Sequence, residues 1–337
     1  MAPSPLASLT RRLFPRPEIA GFFRSHSRAD WHHWGIMIPR MPAPFHYADI
    51  VVTMGSPGFE FLFTREDESH GPANTAELLV ASGGHEAIHR QFDIEADCRR
   101  SETPNEPVRL AMGDVLDLHG DHPRWSVTVE HPNARLALEI SCDEEVTWFA
   151  RVLGLYQHVG LLAHYEGTID VDGKTHSVRG PCSFEYAFGR SSARLPGGPR
   201  IPLRLFNYEV MSLDDGRQLL AARIGRSPKS VQAQTAWLKG KGLKQETFTS
   251  VTKQILEAVD AETPDGRVMR VPREWVCELD GPRGSARLEC VLTTDLSYGL
   301  GRGYVAGYDF SGSLLGQSVS GTGYLEYVDV APAPPEA

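Results

Sequence analysis

Apolar residues in this chain recur with a period of two, in short runs broken by Gly, Pro, Asn and Asp, a rhythm that hairpins satisfy and an amphipathic helix does not. The run Trp125-Ser126-Val127-Thr128-Val129 is followed across His131-Pro132-Asn133 by Leu136-Ala137-Leu138-Glu139-Ile140, so Val127, Val129, Leu136, Leu138 and Ile140 share one face. Residues 167–171 turn at Asp172-Gly173 and return through 175–178, with Asp-Gly supplying the positive φ angles of a tight turn. Two more hairpins are predicted, 255–262 with 268–271 around Pro264-Asp265-Gly266, and 275–279 with 286–292 around Asp280-Gly281-Pro282. Helix is expected for no more than a turn or two, at 75–80 and 230–238. The predicted fold class is all-β.

A length of 337 residues allows two domains or one large β domain. The net charge of −9 and the scatter of the 34 Lys and Arg leave no footprint for a phosphate backbone, so nucleic acid is not an expected partner. The five cysteines, Cys98, Cys142, Cys182, Cys277 and Cys290, are odd in number and lack CxxC spacing, which points to neither a disulfide framework nor a zinc knuckle. A reducing, cytoplasmic setting is expected. Arg11 and Arg12 precede Pro15 and Pro17 rather than an apolar stretch, so no secretory leader is expected. No window approaches the ~20 apolar residues of a membrane-spanning helix.

Motifs for cofactors are thin. His85-Glu86-Ala87-Ile88-His89 has the HExxH form, but Gly83-Gly84 before it and the alternating Gln91-Phe92-Asp93-Ile94-Glu95 after it argue against the helix this chemistry needs. A metal-dependent hydrolase built on His85, Glu86 and His89 is therefore the weakest of three readings, and no metal is expected. Gly301-Arg302-Gly303 and Gly321-Thr322-Gly323 do not open helices, so no nucleotide cofactor is expected either. Residues 156–166 read as a strand that places Tyr156, His158, Leu162 and His164 on one face. Its histidines are about 20 Å apart at ~3.3 Å per residue, too far to share an ion. Each is either a proton relay or a hydrogen-bonded strand residue.

The segments 30–35, 180–189, 206–220 and 321–326 together resemble the tandem lipocalin-like family of carotenoid 1,2-hydratases, kievitone hydratases, AttH-type proteins and lipocalin-like Diels–Alderases. Asp30-Trp31-His32-His33-Trp34-Gly35 is similar to the family's aromatic opening strand. Residues 180–189 keep the frame of its Gly-x-x-Trp-x-Asp-His-x-Trp-Gly segment, with Ser183 and Phe188 for the tryptophans, Glu185 for the aspartate and Tyr186 for the histidine. Residues 206–220 resemble a family strand, Leu-Asp-Asp-Gly turn and return strand, and Gly321-Thr322-Gly323-Tyr324-Leu325-Glu326 resembles the closing strand.

The resemblance implies two open lipocalin-like β-barrels in tandem, with a ligand cavity between or inside them. The expected division is 1–225 and 226–330, followed by a disordered tail at 331–337. It further implies a cofactor-independent enzyme acting on a large hydrophobic metabolite by hydration or dehydration, isomerisation or cyclisation; a noncatalytic carrier of the same ligand is the alternative. Glu185, Tyr186, His158 and His164 are the catalytic candidates, and Tyr208, Asn207, Tyr165, Trp34 and Trp237 the substrate-binding ones. Adjacent strand residues face opposite sides, so only one of Glu185 and Tyr186 is expected in a given cavity. A desolvated Glu185 is expected to hold its proton and act as the acid; the competing expectation is a structural ion pair with Arg190. The partner expected is a hydrophobic small molecule, with self-association left open.

Overall fold

A computed structural model describes residues 19–23, 29–56, 71, 73–85, 87–101, 106–152, 156–191 and 203–330. The tail at 331–337, Glu86 and residues 192–202 lie outside them. The first sheet contains β1 (Trp31–Ile38), β2 (Ala48–Met54), β3 (Thr75–Ser82), β4 (Ile88–Asp93), β5 (Cys98–Arg100), β6 (Val108–Met112), β7 (Leu116–Asp121), β8 (Arg124–His131), β9 (Ala134–Val152), β10 (Tyr156–Val171) and β11 (Lys174–Gly189). The second contains β12 (Leu205–Leu213), β13 (Gln218–Ser227), β14 (Ser230–Lys239), β15 (Glu246–Phe248), β16 (Ser250–Glu262), β17 (Val268–Gly281), β18 (Gly284–Leu292), β19 (Ser297–Leu300), β20 (Gly303–Leu314) and β21 (Gln317–Asp329).

Both sheets are wired alike. In the first the order is β4-β3-β2-β1-β11-β10-β9-β8-β7-β6-β5, and in the second β15-β14-β13-β12-β21-β20-β18-β17-β16, with β19 paired to β20. The first strand of each unit therefore pairs with its last. The outer strands are also consecutive in sequence: β4 and β5 are joined by a four-residue helix, Ile94–Asp97, and β15 and β16 by Thr249 alone. Such short links force each sheet to curl until its edges approach, which makes two barrels in tandem.

All four expected hairpins form: Trp125 pairs with Ile140, Val171 with Lys174, Glu262 with Val268, and Trp275 with Cys290. Asp172 and Gly173 have φ of 49° and 72°, as a tight two-residue hairpin turn requires. The helical turns expected at 75–80 and 230–238 are corrected to β3 and β14, whose pairing with strands on both sides outweighs a weak local preference. The boundary expected at 225/226 falls inside β13. Residues 205–225 hydrogen-bond into the second sheet, so the change of sheet lies between Gly189 and Leu205.

Alternation along the strands divides the core in three. Trp34, Ile36 and Ile38 of β1 fill the first barrel, and Met211 and Leu213 of β12 the second. The intervening residues form a third cluster between the barrels, with Met37, Val51 and Leu79 on one side and Tyr208, Val210, Trp237 and Tyr324 on the other. The central strands are thus buried on both faces. Among the described residues no helix is long and apolar enough to cross a membrane.

Candidate active site between the barrels

The first barrel builds half of the site on three neighbouring strands. Opposite Glu185 of β11 stand Gly35 of β1 and Gly160 of β10; opposite Ala187 stand His33 and His158. Small residues beside Glu185 and between the histidines leave room for the three functional groups to converge. A Cβ at Gly35 would lie 3.3 Å from His33 Nε2 and 2.6 Å from Met37 Cε; one at Gly160 would lie 2.5 Å from the Phe149 ring. Phe149 takes no partner in the β9–β10 register, where His158 pairs with Ala150 and Val159 with Trp148. That bulge turns its ring edge-on to His158, with centroids 4.7 Å apart, and 4.8 Å from Trp237.

The second barrel closes the cavity with Phe206, Tyr208, Trp237, Leu300 and Glu326. Exposed Ala233 and half-buried Gln234 and Thr235 line it where it meets solvent. Its volume is about 200 Å³. Ligand pockets commonly run from about 300 to 1,000 Å³, so this cavity lies below the usual range.

Three donors converge on the Glu185 carboxylate. Tyr208 from the opposite barrel and Ser183, at 3.1 Å, donate to Oε1, and His158 Nε2 lies 3.2 Å from Oε2. Burial alone would raise the pKa of Glu185, but the hydrogen bond and charge of His158, the Tyr208 hydroxyl and His33 together bring it below the usual value. Glu185 is therefore an ionised acceptor. This corrects the expectation of a protonated acid, and the Arg190 pair is corrected too, since Arg190 lies exposed and does not partner the carboxylate.

The cavity holds a second buried carboxyl, that of Glu326. Tyr324 Oη lies 2.7 Å from Asp49 Oδ2 and 3.1 Å from Glu326 Oε1. A hydroxyl carries one hydrogen. If Tyr324 donates to Asp49, which also accepts from the Ala81 amide at 2.7 Å, the second contact needs a proton on Glu326. Burial, with the negative charges of Glu185 and Asp49, pushes the pKa of Glu326 well up. Burial also pushes Asp49 up to about 7, against the pull of its hydrogen bonds to Tyr324, to the Ala81 amide and to its own backbone amide.

A carboxyl that keeps its proton to higher pH when folded stabilises the fold below the ordinary carboxylate range, and this stabilisation fades as pH rises through the folded value. Asp49→Asn should accordingly flatten the decline of the denaturation midpoint between about pH 4 and pH 7. An unchanged slope in thermal melts across that range would contradict a proton held at Asp49.

The remaining expected residues lie elsewhere. Tyr186, next to Glu185, points into the first barrel with Trp34, their ring centroids 5.0 Å apart. Tyr165 is in the same interior and donates to the Arg40 carbonyl at 3.1 Å. Asn207 turns away from the cavity, and its amide donates to the Glu326 carbonyl at 3.2 Å. His164 follows His158 on the outer face of β10 but emerges into solvent where the second barrel no longer covers the strand. The cavity thus collects Glu185, His158, Tyr208 and Trp237 from the candidates, and excludes Tyr186, His164, Asn207, Tyr165 and Trp34. It adds His33, Tyr156 and Glu326. His85 lies in a turn and His89 on β4, so the HExxH segment is not a helix.

Two barrels with similar wiring, packed around a shared apolar cavity, give this chain a tandem lipocalin-like fold. It belongs to the family of unknown function DUF6670, whose profile matches residues 51–337. An AttH-type protein from Nitrosomonas europaea superposes with a TM-score of 0.66 at 14% identity, over 92% of this chain and 96% of the other. Kievitone hydratase from Nectria haematococca gives 0.60 at 13% identity over 94% of each chain. CghA with Sch210972 gives 0.55 at 13% identity, over 89% and 88%. At such identities the likeness establishes the fold. No curated protein sequence matches the chain.

Proposed function

We propose that this protein is an enzyme that moves a proton on a hydrophobic small molecule held between its barrels, in a hydration or dehydration, an isomerisation or an acid-initiated cyclisation. The carrying observation is that one mostly apolar cavity holds two buried carboxyls in unlike surroundings: Glu185 accepts from Tyr208 and Ser183 beside His158, whereas Glu326 meets the Tyr324 hydroxyl where burial and nearby negative charge push its pKa up. Two carboxyls driven to opposite protonation states divide the roles of acid and base. Glu326 gives the proton, and the Glu185–His158 pair accepts one. Tyr208 holds Glu185 in place, and Phe149, Trp237 and Phe206 form the apolar wall. Kievitone hydratase, and CghA with its bound Sch210972, among the solved structures of this fold support chemistry on a small-molecule substrate.

The test begins with native mass spectrometry of protein purified from its own host, to identify a bound hydrophobic molecule. That molecule is then incubated with fresh enzyme in heavy water. Deuterium fixed on carbon in the product is the expected result for hydration, isomerisation or cyclisation, and loss of the mass of water for dehydration; a ligand recovered chemically unchanged would identify a carrier instead.

A further inference from the structure

The two histidines and the carboxylate that meet in the cavity have a second property, independent of the acid–base reading. Ligand atoms from His33, His158 and Glu185 lie within 4.8 Å of one another. A tetrahedral site with bonds of about 2.0–2.2 Å needs its nitrogens and oxygen a little over 3 Å apart, so modest side-chain movements close the cluster on an ion. His158 Nε2 and Glu185 Oε2 already stand at 3.2 Å.

The surroundings are those a metal centre requires. His33 Nδ1 lies 3.1 Å from the Val52 carbonyl, which can only accept, so this nitrogen carries the proton and Nε2 presents its lone pair to the cluster. Gly35 leaves open the space beside that Nε2, where a Cβ would crowd it. His158 Nδ1 lies 2.9 Å from the Tyr156 hydroxyl, which can accept from this nitrogen once Nε2 is committed to an ion. Tyr208 and Ser183 hold the other Glu185 oxygen. Each ligand thus has its own outer partner.

We propose that His33, His158 and Glu185 form a binding site for a divalent transition-metal ion of the zinc class, with its free coordination position turned into the cavity. Two imidazoles and one carboxylate suit such an ion, whereas calcium and magnesium prefer all-oxygen sites. An ion here would polarise a substrate oxygen or a bound water. The proton-accepting role would then pass from the bare imidazole–carboxylate pair to that water. The site is distinct from the HExxH segment, whose histidines do not share a helical face.

The test uses metal-stripped full-length protein titrated with cobalt(II), followed by the visible absorption of a low-coordinate cobalt site, and with zinc(II) by calorimetry. One ion should bind per chain. His33→Ala and Glu185→Gln should each weaken binding by more than ~100-fold, and Tyr156→Phe by about 10-fold, the range for outer partners. His89→Ala should bind as the parent does, and near-parental melting of the His33 variant shows that it remains folded. Binding unaffected by both His33→Ala and Glu185→Gln, or no cobalt spectrum in the parent, overturns the site. Glu326→Gln separates this proposal from the acid–base reading: it should retain the cobalt site while turnover falls.

Discussion

Replacing Glu326 by glutamine should lower turnover by about 10²–10⁴-fold, the usual worth of a general acid, with ligand affinity changing far less. The substitution keeps the shape of the side chain and can keep its contact with Tyr324, because an amide N–H can donate where the carboxyl did. What it removes is the transferable proton. Glu326 is on β21 and faces a cavity where burial, with the negative charges of Glu185 and Asp49, pushes the pKa of its carboxyl up. Turnover per folded molecule, ligand affinity and the denaturation midpoint should be measured on the same variant. Turnover within a few fold of the parent would remove Glu326 from the reaction.

The second large effect is expected far from the chemistry. Lys253 and Glu209 form an ion pair inside the second barrel, with side-chain exposures of 1% and 3%. The Tyr308 hydroxyl donates to Glu209 at 3.1 Å, and the Lys253 ammonium stands 4.4 Å from the centre of the Trp275 ring. Lys253→Met leaves a buried carboxylate without its counter-charge, a loss of roughly 3–5 kcal/mol in denaturant unfolding. Adding Glu209→Gln should recover most of it, because the uncompensated charge then disappears. Equal destabilisation in the single and double variants would show that packing, rather than charge, sets the cost. The pair faces the barrel interior, so turnover per folded molecule should change little.

Much of the fold is legible locally because hairpins write both of their strands and their turn into one stretch of sequence. Asp172-Gly173 and the alternation from Trp125 to Ile140 are sufficient for that. The unit division is harder to read. The strand, turn and return strand read at 206–220 show that strands exist there but not which sheet they join, a choice made by pairing with β21, more than a hundred residues later. The site suffers from the same distance. Glu185 and His158 could be marked from their own strands, yet His33 joins them only because β1 lies beside β11.

Glu326 closes a segment already singled out for its resemblance, but a carboxyl at the end of a strand gives no local sign of being neutral. That state depends on Asp49, Tyr324 and Glu185, which come from three different strands. The same argument explains the misplaced candidates. Trp34 and Tyr186 are a cross-strand pair of large rings, and without knowledge of which face meets the second barrel, an interior core and a ligand wall look alike.

Two hydrogen bonds of the site cross from one barrel to the other: Tyr208 reaches Glu185, and Tyr324 reaches Asp49. Each unit nonetheless pairs its own first strand with its own last, with Trp31 beside Gly189 and Leu205 beside Asp329. A chain cut between 189 and 205 would therefore yield two fragments, each able to complete its own sheet but holding only half the groups around the cavity. Activity of such a split protein would obey a bimolecular law, rising with the product of the fragment concentrations until the complex saturates. In the intact chain the covalent connection replaces that encounter with an effective concentration on the order of millimolar.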